Sequence, residues 1–93
     1  RLGYYKQAEQ VYTYNEFDYP LEIAGLSGNI SLKEGKPMVH AHLTVSDDSG
    51  NVYGGHLASG CIVFACEFVI SRFSGKSLER VHDETTGLPL WNI

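Results

Sequence analysis

One predicted β-hairpin constrains the fold of this chain more than any other feature. Aliphatic and β-branched residues alternate with polar ones through Met38–Val45, turn-forming residues fill positions 47–51, and Val52 and Tyr53 resume the apolar pattern. Two such runs around an Asp, Ser, Gly and Asn cluster are typical of a β-hairpin. The two arms also contain three of the four histidines of the chain: His40, His42 and His56.

The register of this hairpin decides whether the three imidazoles meet. Alternate residues of a strand share a face, so His40 and His42 point to the same side. If residues 47–51 form the loop, Ser46 pairs with Val52 and His42 lies directly opposite His56. Directly opposed residues share a face, with Cβ atoms roughly 4.5–5.5 Å apart. A loop with an even number of residues would instead send His56 to the other face.

The three histidines predict a metal site. Three imidazoles at this spacing can bind one Zn²⁺ at about 2.0–2.1 Å each and leave a fourth coordination position open. The ordinary alternative is three half-buried histidines with hydrogen-bonded ring nitrogens. The ligand type and the convergence favour zinc, or a similar divalent ion, bound by His40, His42 and His56. Gly54 and Gly55, just before His56, permit a bulge or a close backbone approach there.

Length, composition and charge restrict the class of protein. The 93 residues, 43% hydrophobic and 19% charged, predict one globular domain over 1–93. No run of about 18 apolar residues or signal peptide is present, which favours a cytoplasmic protein without a membrane contact, although the chain begins at Arg1 rather than Met. The net charge is −4 and the seven basic residues are scattered. DNA binding needs clustered Lys and Arg, so the composition argues against a DNA-binding face.

The two cysteines, Cys61 and Cys66, are five positions apart. On a strand they would face opposite sides and could not easily form a disulfide. We interpret them as free, buried thiols of a reducing compartment.

The remaining segments extend the predicted sheet. The segment Leu21–Gly28 fits a short helix after Pro20 and fits a strand nearly as well, and the sequence leaves both open. The apolar run Cys61–Ile70 fits a strand buried on both faces or a core helix, and its Val, Ile and Phe content favours the strand. The fold class is therefore predicted as α+β, a mostly antiparallel sheet with one or two short helices. Its other strands are Val11–Phe17, Asn29–Leu32 paired with Met38–Val45 around a turn at Lys33–Lys36, and Leu78–His82.

Glu67 is the one carboxylate inside the apolar run. A charge in a buried strand is costly unless it is paired. Its functional interpretation is a fourth metal ligand, an acceptor for an imidazole N–H, or a catalytic general base. Its structural interpretation is a solvated residue, or one paired with Arg72 or Arg80. His82, the fourth histidine, is interpreted as a surface residue.

Several motifs together resemble the plant-and-prokaryote-conserved (PPC) domain. The resemblance extends from about Leu2 to Trp91, and the segments that carry it are Pro20–Ser31, Gly35–His42, Gly50–Leu57, Gly60–Val63 and Asp83–Leu88. It implies an α+β domain assembled as a homotrimer, with a fold similar to that of acetolactate decarboxylase. In the prokaryotic branch, the histidines that match His40, His42 and His56 look like zinc ligands.

The resemblance also bears on function. Family members are commonly labelled DNA-binding, because plant relatives join this domain to an AT-hook. This chain has no Arg-Gly-Arg-Pro hook and keeps the histidines that plant relatives generally lack. Family domains usually begin some tens of residues before the match to Leu2–Tyr5, so an N-terminal helix and strand are expected to be missing here.

Two functions follow as hypotheses, beside a purely structural interpretation in which the histidines are core residues and the domain is an oligomerisation module. The first is a trimeric, zinc-binding PPC-type protein with a regulatory or DNA-associated role. The second is a metal-dependent lyase, such as a decarboxylase, acting on a small oxygenated substrate bound at the metal. In that case the open coordination position would polarise a carbonyl or activate water, and Glu67 or a tyrosine would transfer protons.

Overall fold

A single layer of seven strands forms the protein. The computed structural model describes residues 1–93. In space the strands follow the order β2-β1-β5-β4-β3-β6-β7, and the molecule measures 43 × 35 × 18 Å. Every neighbouring pair is antiparallel except the parallel pair β3–β6. The strands are β1 Leu2–Lys6, β2 Val11–Asn15, β3 Glu22–Lys33, β4 Lys36–Ser46, β5 Val52–Leu57, β6 Glu79–Asp83 and β7 Leu88–Trp91.

The long hairpin of β3 and β4 is the centre of the sheet. Its turn consists of Glu34 and Gly35, whose φ angles are 51° and 72°. Positive φ at both central residues is the requirement of a type I′ turn, whose twist matches that of the flanking strands. The strands pair from Lys33↔Lys36 back to Glu22↔Ser46, with one irregularity between Ile23 and Gly25. The predicted hairpin is confirmed, and it is longer than the sequence indicated.

The loop between β4 and β5 has the predicted five residues, 47–51. Asp47 organises it, because one carboxylate oxygen accepts the backbone N–H groups of Ser49 and Asn51 at 3.0 and 2.9 Å. The other oxygen accepts the Asn51 amide and the Tyr53 hydroxyl. These hydrogen bonds hold the pKa of the Asp47 carboxyl below its ordinary value, the side-chain bond from Asn51 contributing most. Ser46 consequently pairs with Val52, as predicted.

The two faces of the sheet differ in chemistry. One face carries the histidines with polar and tyrosine side chains of neighbouring strands, and we call it the histidine face. The opposite face is apolar, and only part of it is covered: Ala41 and Val45 are buried, whereas several large neighbours are half exposed, namely Leu26, Ile30, Val39 and Val81. One layer of strands leaves one apolar face without a second layer to cover it.

The predicted fold class, α+β with one or two short helices, is wrong. The structure contains only strands. The segment Leu21–Gly28, which fitted a helix or a strand, lies almost entirely in β3. The complementary strand β4 is the physical reason, since pairing over eleven positions satisfies the backbone groups of this segment across the hairpin. Since the structure has no helices, it contains no helical segment that could span a membrane.

The predicted buried strand Cys61–Ile70 is also wrong. No strand forms between Leu57 and Glu79, and the apolar side chains of this segment are exposed; Ile62, for example, is 97% exposed. Cys61 and Cys66 are free, as predicted, but exposed rather than buried. An apolar run becomes a strand only where a neighbour accepts its backbone hydrogen bonds, and none of the seven strands pairs with this one.

Candidate metal centre

The central strands bring the three histidines together on one face. His40 and His42 lie two residues apart on β4, and His42 pairs with His56 of β5. The five-residue loop sets this register, because a change of one residue would move His56 to the other face. The convergence predicted from the sequence is therefore present.

The rings are close enough to share one ion. The ligand atoms of His40, His42 and His56 all lie within 4.8 Å of one another. The Nε2 atoms of His40 and His42 are 3.3 Å apart, and the three ring centroids are separated by 5.1 to 5.4 Å. Two nitrogens that bind one tetrahedral zinc at about 2.0–2.1 Å stand roughly 3.3 Å apart. One pair thus already has the spacing of two zinc ligands, and the ligand atom of His56 lies within 4.8 Å of both.

The electrostatics keep two of these rings neutral. Burial lowers the pKa of His40 below 6.5, and the nearby charges of Arg80 and His42 lower it further. Burial also lowers the pKa of His56, with smaller effects from His40 and His42. Only a neutral imidazole has a lone pair for a metal, so a lowered pKa favours binding at neutral pH.

An unpartnered nitrogen also fits a metal ligand. The Nδ1 atom of His56 is buried and has no hydrogen-bond partner in the protein. A buried polar atom without a partner costs free energy, and metal coordination would remove that cost. The donor set, the spacing and this nitrogen together fit a zinc-like ion.

Tyrosines flank the cluster on the side of β1 and β2. The ring centroid of Tyr12 lies 5.1 Å from that of His56, and Tyr12 stacks on Tyr14 at 6.0 Å. Burial is the largest cause of a raised pKa at Tyr12, followed by the neighbouring tyrosines. Its phenol therefore stays protonated at neutral pH. The sequence placed Tyr12 on a strand but gave no signal that it borders the histidines, because β1 lies between β2 and β5 only in the folded sheet.

The other predicted residues lie outside the cluster. Glu67 is in the strandless segment after β5, is exposed, and is not among the residues whose ligand atoms converge. It forms no ion pair with Arg72 or Arg80 in this structure, and its predicted catalytic role stays a prediction. The side chain of His82 is 60% exposed, as expected for a surface residue.

Asn29 and Arg80 belong to the surroundings of the cluster and were not assigned to it from the sequence. Asn29 of β3 pairs with His40, and its side-chain oxygen accepts a hydrogen bond of 2.9 Å from Nη2 of Arg80. The two-residue turn at Glu34 and Gly35 would have placed Asn29 opposite His40 by counting. The parallel pairing of β6 with β3, which brings Arg80 there, has no local sequence signal.

The fold and this cluster define a small all-strand domain with a three-histidine group suited to a metal. The family model described as the Plants and Prokaryotes Conserved (PCC) domain matches residues 1–74. The chain belongs to this family, which confirms the resemblance seen in the motifs. The DNA-binding label and the likeness to acetolactate decarboxylase remain predictions.

Relatives of known sequence are longer proteins. The bifunctional protein GlmU of Synechococcus sp. strain JA-2-3B'a(2-13) is 40% identical over 68 residues, and GlmU of strain JA-3-3Ab is 38% identical over 68 residues. These matches cover 72% of this chain and 10% of each relative. The chain thus spans about a tenth of the length of these curated relatives.

Two solved structures share the fold. A metal-containing protein from Archaeoglobus fulgidus is 41% identical with a TM-score of 0.75, over 97% of this chain and 63% of that chain. A plant- and prokaryote-conserved (PPC) protein from Pyrococcus horikoshii is 31% identical with a TM-score of 0.80, over 99% of this chain and 63% of that chain. The chain therefore spans just under two thirds of these proteins.

The lowered pKa values of His40 and His56 predict a pH-dependent stability of the metal-free protein. Between each lowered pKa and 6.5 the unfolded chain binds more protons than the folded one, so the free energy of unfolding falls as the pH falls. We expect the Tm of chelator-treated protein to decrease from pH 7.5 to pH 5. The slope should be smaller in His56→Gln and unchanged in His82→Gln. A Tm that is constant over this range would contradict the prediction.

Proposed function

We propose that this protein binds one zinc-like divalent ion through His40, His42 and His56. The observation that carries the proposal is the convergence of three imidazole nitrogens within 4.8 Å on one face of the sheet. Imidazole is a common ligand of zinc and of neighbouring transition metals. The similar protein from Archaeoglobus fulgidus is described as metal-containing, which supports metal binding by this chain.

Metal analysis of the purified protein tests the proposal. Protein prepared without chelator should contain about one ion per chain, and zinc returned to chelator-treated protein should raise the Tm, because an ion that binds only the folded state stabilises it. Elemental analysis identifies the metal and its stoichiometry. Protein that contains no metal, and whose Tm zinc does not change, would exclude the site.

We also propose that copies of this chain assemble as a homotrimer. Support comes from the family resemblance and from the half-exposed apolar face around Leu26, Ile30 and Val39. Contiguous exposed apolar surface of this kind is usually an interaction site. Light scattering on the metal-loaded protein measures the assembled mass, and a monomer at micromolar concentration would contradict this proposal.

A regulatory or DNA-associated role rests on the family resemblance alone. The net charge of −4 supplies no cluster of cations that would neutralise phosphates. If the domain associates with DNA through its own surface, gel-shift affinity should fall steeply as salt is raised. Binding that is absent, or that is insensitive to salt, would remove this role.

A metal-dependent lyase acting on a small oxygenated substrate is the second candidate function. The observation that favours it is the number of ligands: three histidines converge, and no carboxylate or thiol joins them. Three protein ligands with an open fourth position are typical of catalytic rather than structural zinc sites. A bound metal of this kind supplies Lewis-acid polarisation of a carbonyl. Tyr12, whose ring lies beside that of His56 and whose phenol stays protonated at neutral pH, is the tyrosine that we propose as the proton donor. A fourth protein ligand in a metal-loaded structure would exclude this function.

A further inference from the structure

Arg80 is a buried cation on the histidine face. It lies on β6 beside Lys33 of β3, and it is only 7% exposed. Its guanidinium group extends back along β3, where Nε donates to the Ser31 hydroxyl at 2.8 Å and Nη2 to the Asn29 oxygen at 2.9 Å. Nη1 donates to the backbone carbonyl of Pro89 at 3.0 Å. Three separate hydrogen bonds therefore fix its orientation.

No carboxylate neutralises this guanidinium. The ion pairs of the chain are Arg1–Glu16, Lys6–Glu9 and His82–Glu84. All three acceptors of Arg80 are uncharged, and its other close neighbour is the Trp91 ring, whose centroid is 5.3 Å from Cζ. A buried charge without an opposite charge is costly, and an anion bound beside it would offset that cost. The structure thus fixes Arg80 but leaves its charge unneutralised.

Arg80 also keeps hydrogen-bonding capacity. A guanidinium group has five N–H donors, and the three bonds use one on each nitrogen. The remaining two are one on Nη1 and one on Nη2, and guanidinium N–H groups are the donors that bind carboxylates and phosphates most strongly in proteins.

The position of Arg80 connects it to the metal cluster. Asn29, which accepts from Nη2, pairs directly with His40 on the adjacent strand. Neighbouring strands lie about 4.8 Å apart. β3 is the single strand between β6, which carries Arg80, and β4, which carries His40. The charge of Arg80 is near enough to contribute to the lowered pKa of His40. A molecule of a few heavy atoms on this face could contact both groups.

We propose that Arg80 binds the anionic end of a small oxyanion ligand whose other oxygen coordinates the metal held by the three histidines. The class of ligand is a short organic carboxylate with a second oxygen donor, or a phosphate of similar size. This inference rests on the proposed metal site and adds the residue that selects a charged ligand over a neutral one.

Calorimetric titration of the metal-loaded protein tests this selection. The probes are L-lactate, inorganic phosphate and propane-1,2-diol, which has two oxygen donors but no charge. We expect wild type to bind at least one of the two anions more tightly than the diol. Comparison of lactate with phosphate shows which anion class the site takes. If neither anion binds more tightly than the diol, the proposal is overturned.

Two variants separate anion binding from a structural role of Arg80. Arg80→Lys keeps the charge but loses the planar guanidinium donors. We expect its affinity for the anion to fall by about 10- to 100-fold, while its affinity for the diol stays at the wild-type value. Asn29→Asp places a carboxylate beside Nη2 and should also lower the affinity for the anion. Its Tm should stay near that of wild type, which shows that the fold is intact. If Arg80 is purely structural, folded Arg80→Lys should bind both anions and the diol as tightly as wild type.

Metal content separates failure of this inference from failure of the proposed function. Both variants and wild type are analysed for metal before titration. Wild type without metal would refute the metal site itself. Variants that retain about one ion per chain and bind the anion as tightly as wild type would refute only the role of Arg80.

Discussion

Replacement of His42 by alanine is expected to weaken metal binding by about two to three orders of magnitude. His42 adjoins both other ligands, because its Nε2 lies 3.3 Å from that of His40 and it pairs across the hairpin with His56. Structural zinc sites with four ligands contribute about 10–16 kcal/mol, or roughly 2.5–4 kcal/mol for each ligand. We therefore expect the zinc affinity of His42→Ala to be about 100- to 1000-fold lower than that of wild type. Competition with a chromogenic chelator measures this affinity.

The fourth histidine provides the matched control for this variant. His82 is exposed and lies outside the cluster, so His82→Ala should bind zinc like wild type. Because His42 is itself exposed, the metal-free form of His42→Ala should unfold at nearly the wild-type temperature. Equal zinc affinity in the two variants would show that the histidine cluster is not the metal site.

Replacement of Gly28 by alanine is expected to cause a large loss of stability. A Cβ at this position would overlap the carbonyl oxygen of His40 and lie 2.7 Å from Cα and 2.8 Å from Cβ of Ala41. These atoms belong to the backbone of β4 or lie next to it, so relief requires a shift of the strand that carries two of the histidines. Overpacking of this kind costs about 2–3 kcal/mol, or a fall in Tm of about 10–20 °C for a domain of this size.

Gly25 on the same strand is the matched control. A Cβ there would meet no atom within 4 Å, so Gly25→Ala should change the free energy of unfolding by less than about 0.5 kcal/mol. Thermal unfolding followed by circular dichroism measures both variants. The zinc affinity of Gly28→Ala should also decrease, because the shifted backbone carries His40. Equal Tm values for the two variants would contradict the close strand approach at Gly28.

The candidate site could be predicted from the sequence because it depends on local pairing. The loop of Asp47–Asn51 is short and rich in turn-forming residues, so the register of β4 on β5 followed from counting. The side-chain period of a strand is two, and this register placed His56 with the other two histidines. By contrast, Tyr12 and Arg80 reach the cluster across strands that are distant or reordered in the chain.

The errors in the predicted fold have a common physical origin. The segment around Ala24 has both helical and alternating spacing, and only the long partner strand β4 decided between them. The run Cys61–Ile70 has strong strand character, yet none of the seven strands lies beside it, so it forms no strand and its side chains are exposed. A propensity becomes secondary structure only where the backbone finds hydrogen-bond partners.

The sequence by itself determined the two central hairpins and the common face of His40, His42 and His56, because turn chemistry and the period of a strand act over a few residues. The tertiary structure alone decided the strand order, the all-strand fold and the position of Arg80 next to Asn29. These features depend on which strands lie side by side, and the parallel pairing of β3 with β6 joins residues more than forty positions apart. Contacts over such separations are set by the burial and hydrogen bonding of the whole sheet, which no local pattern encodes.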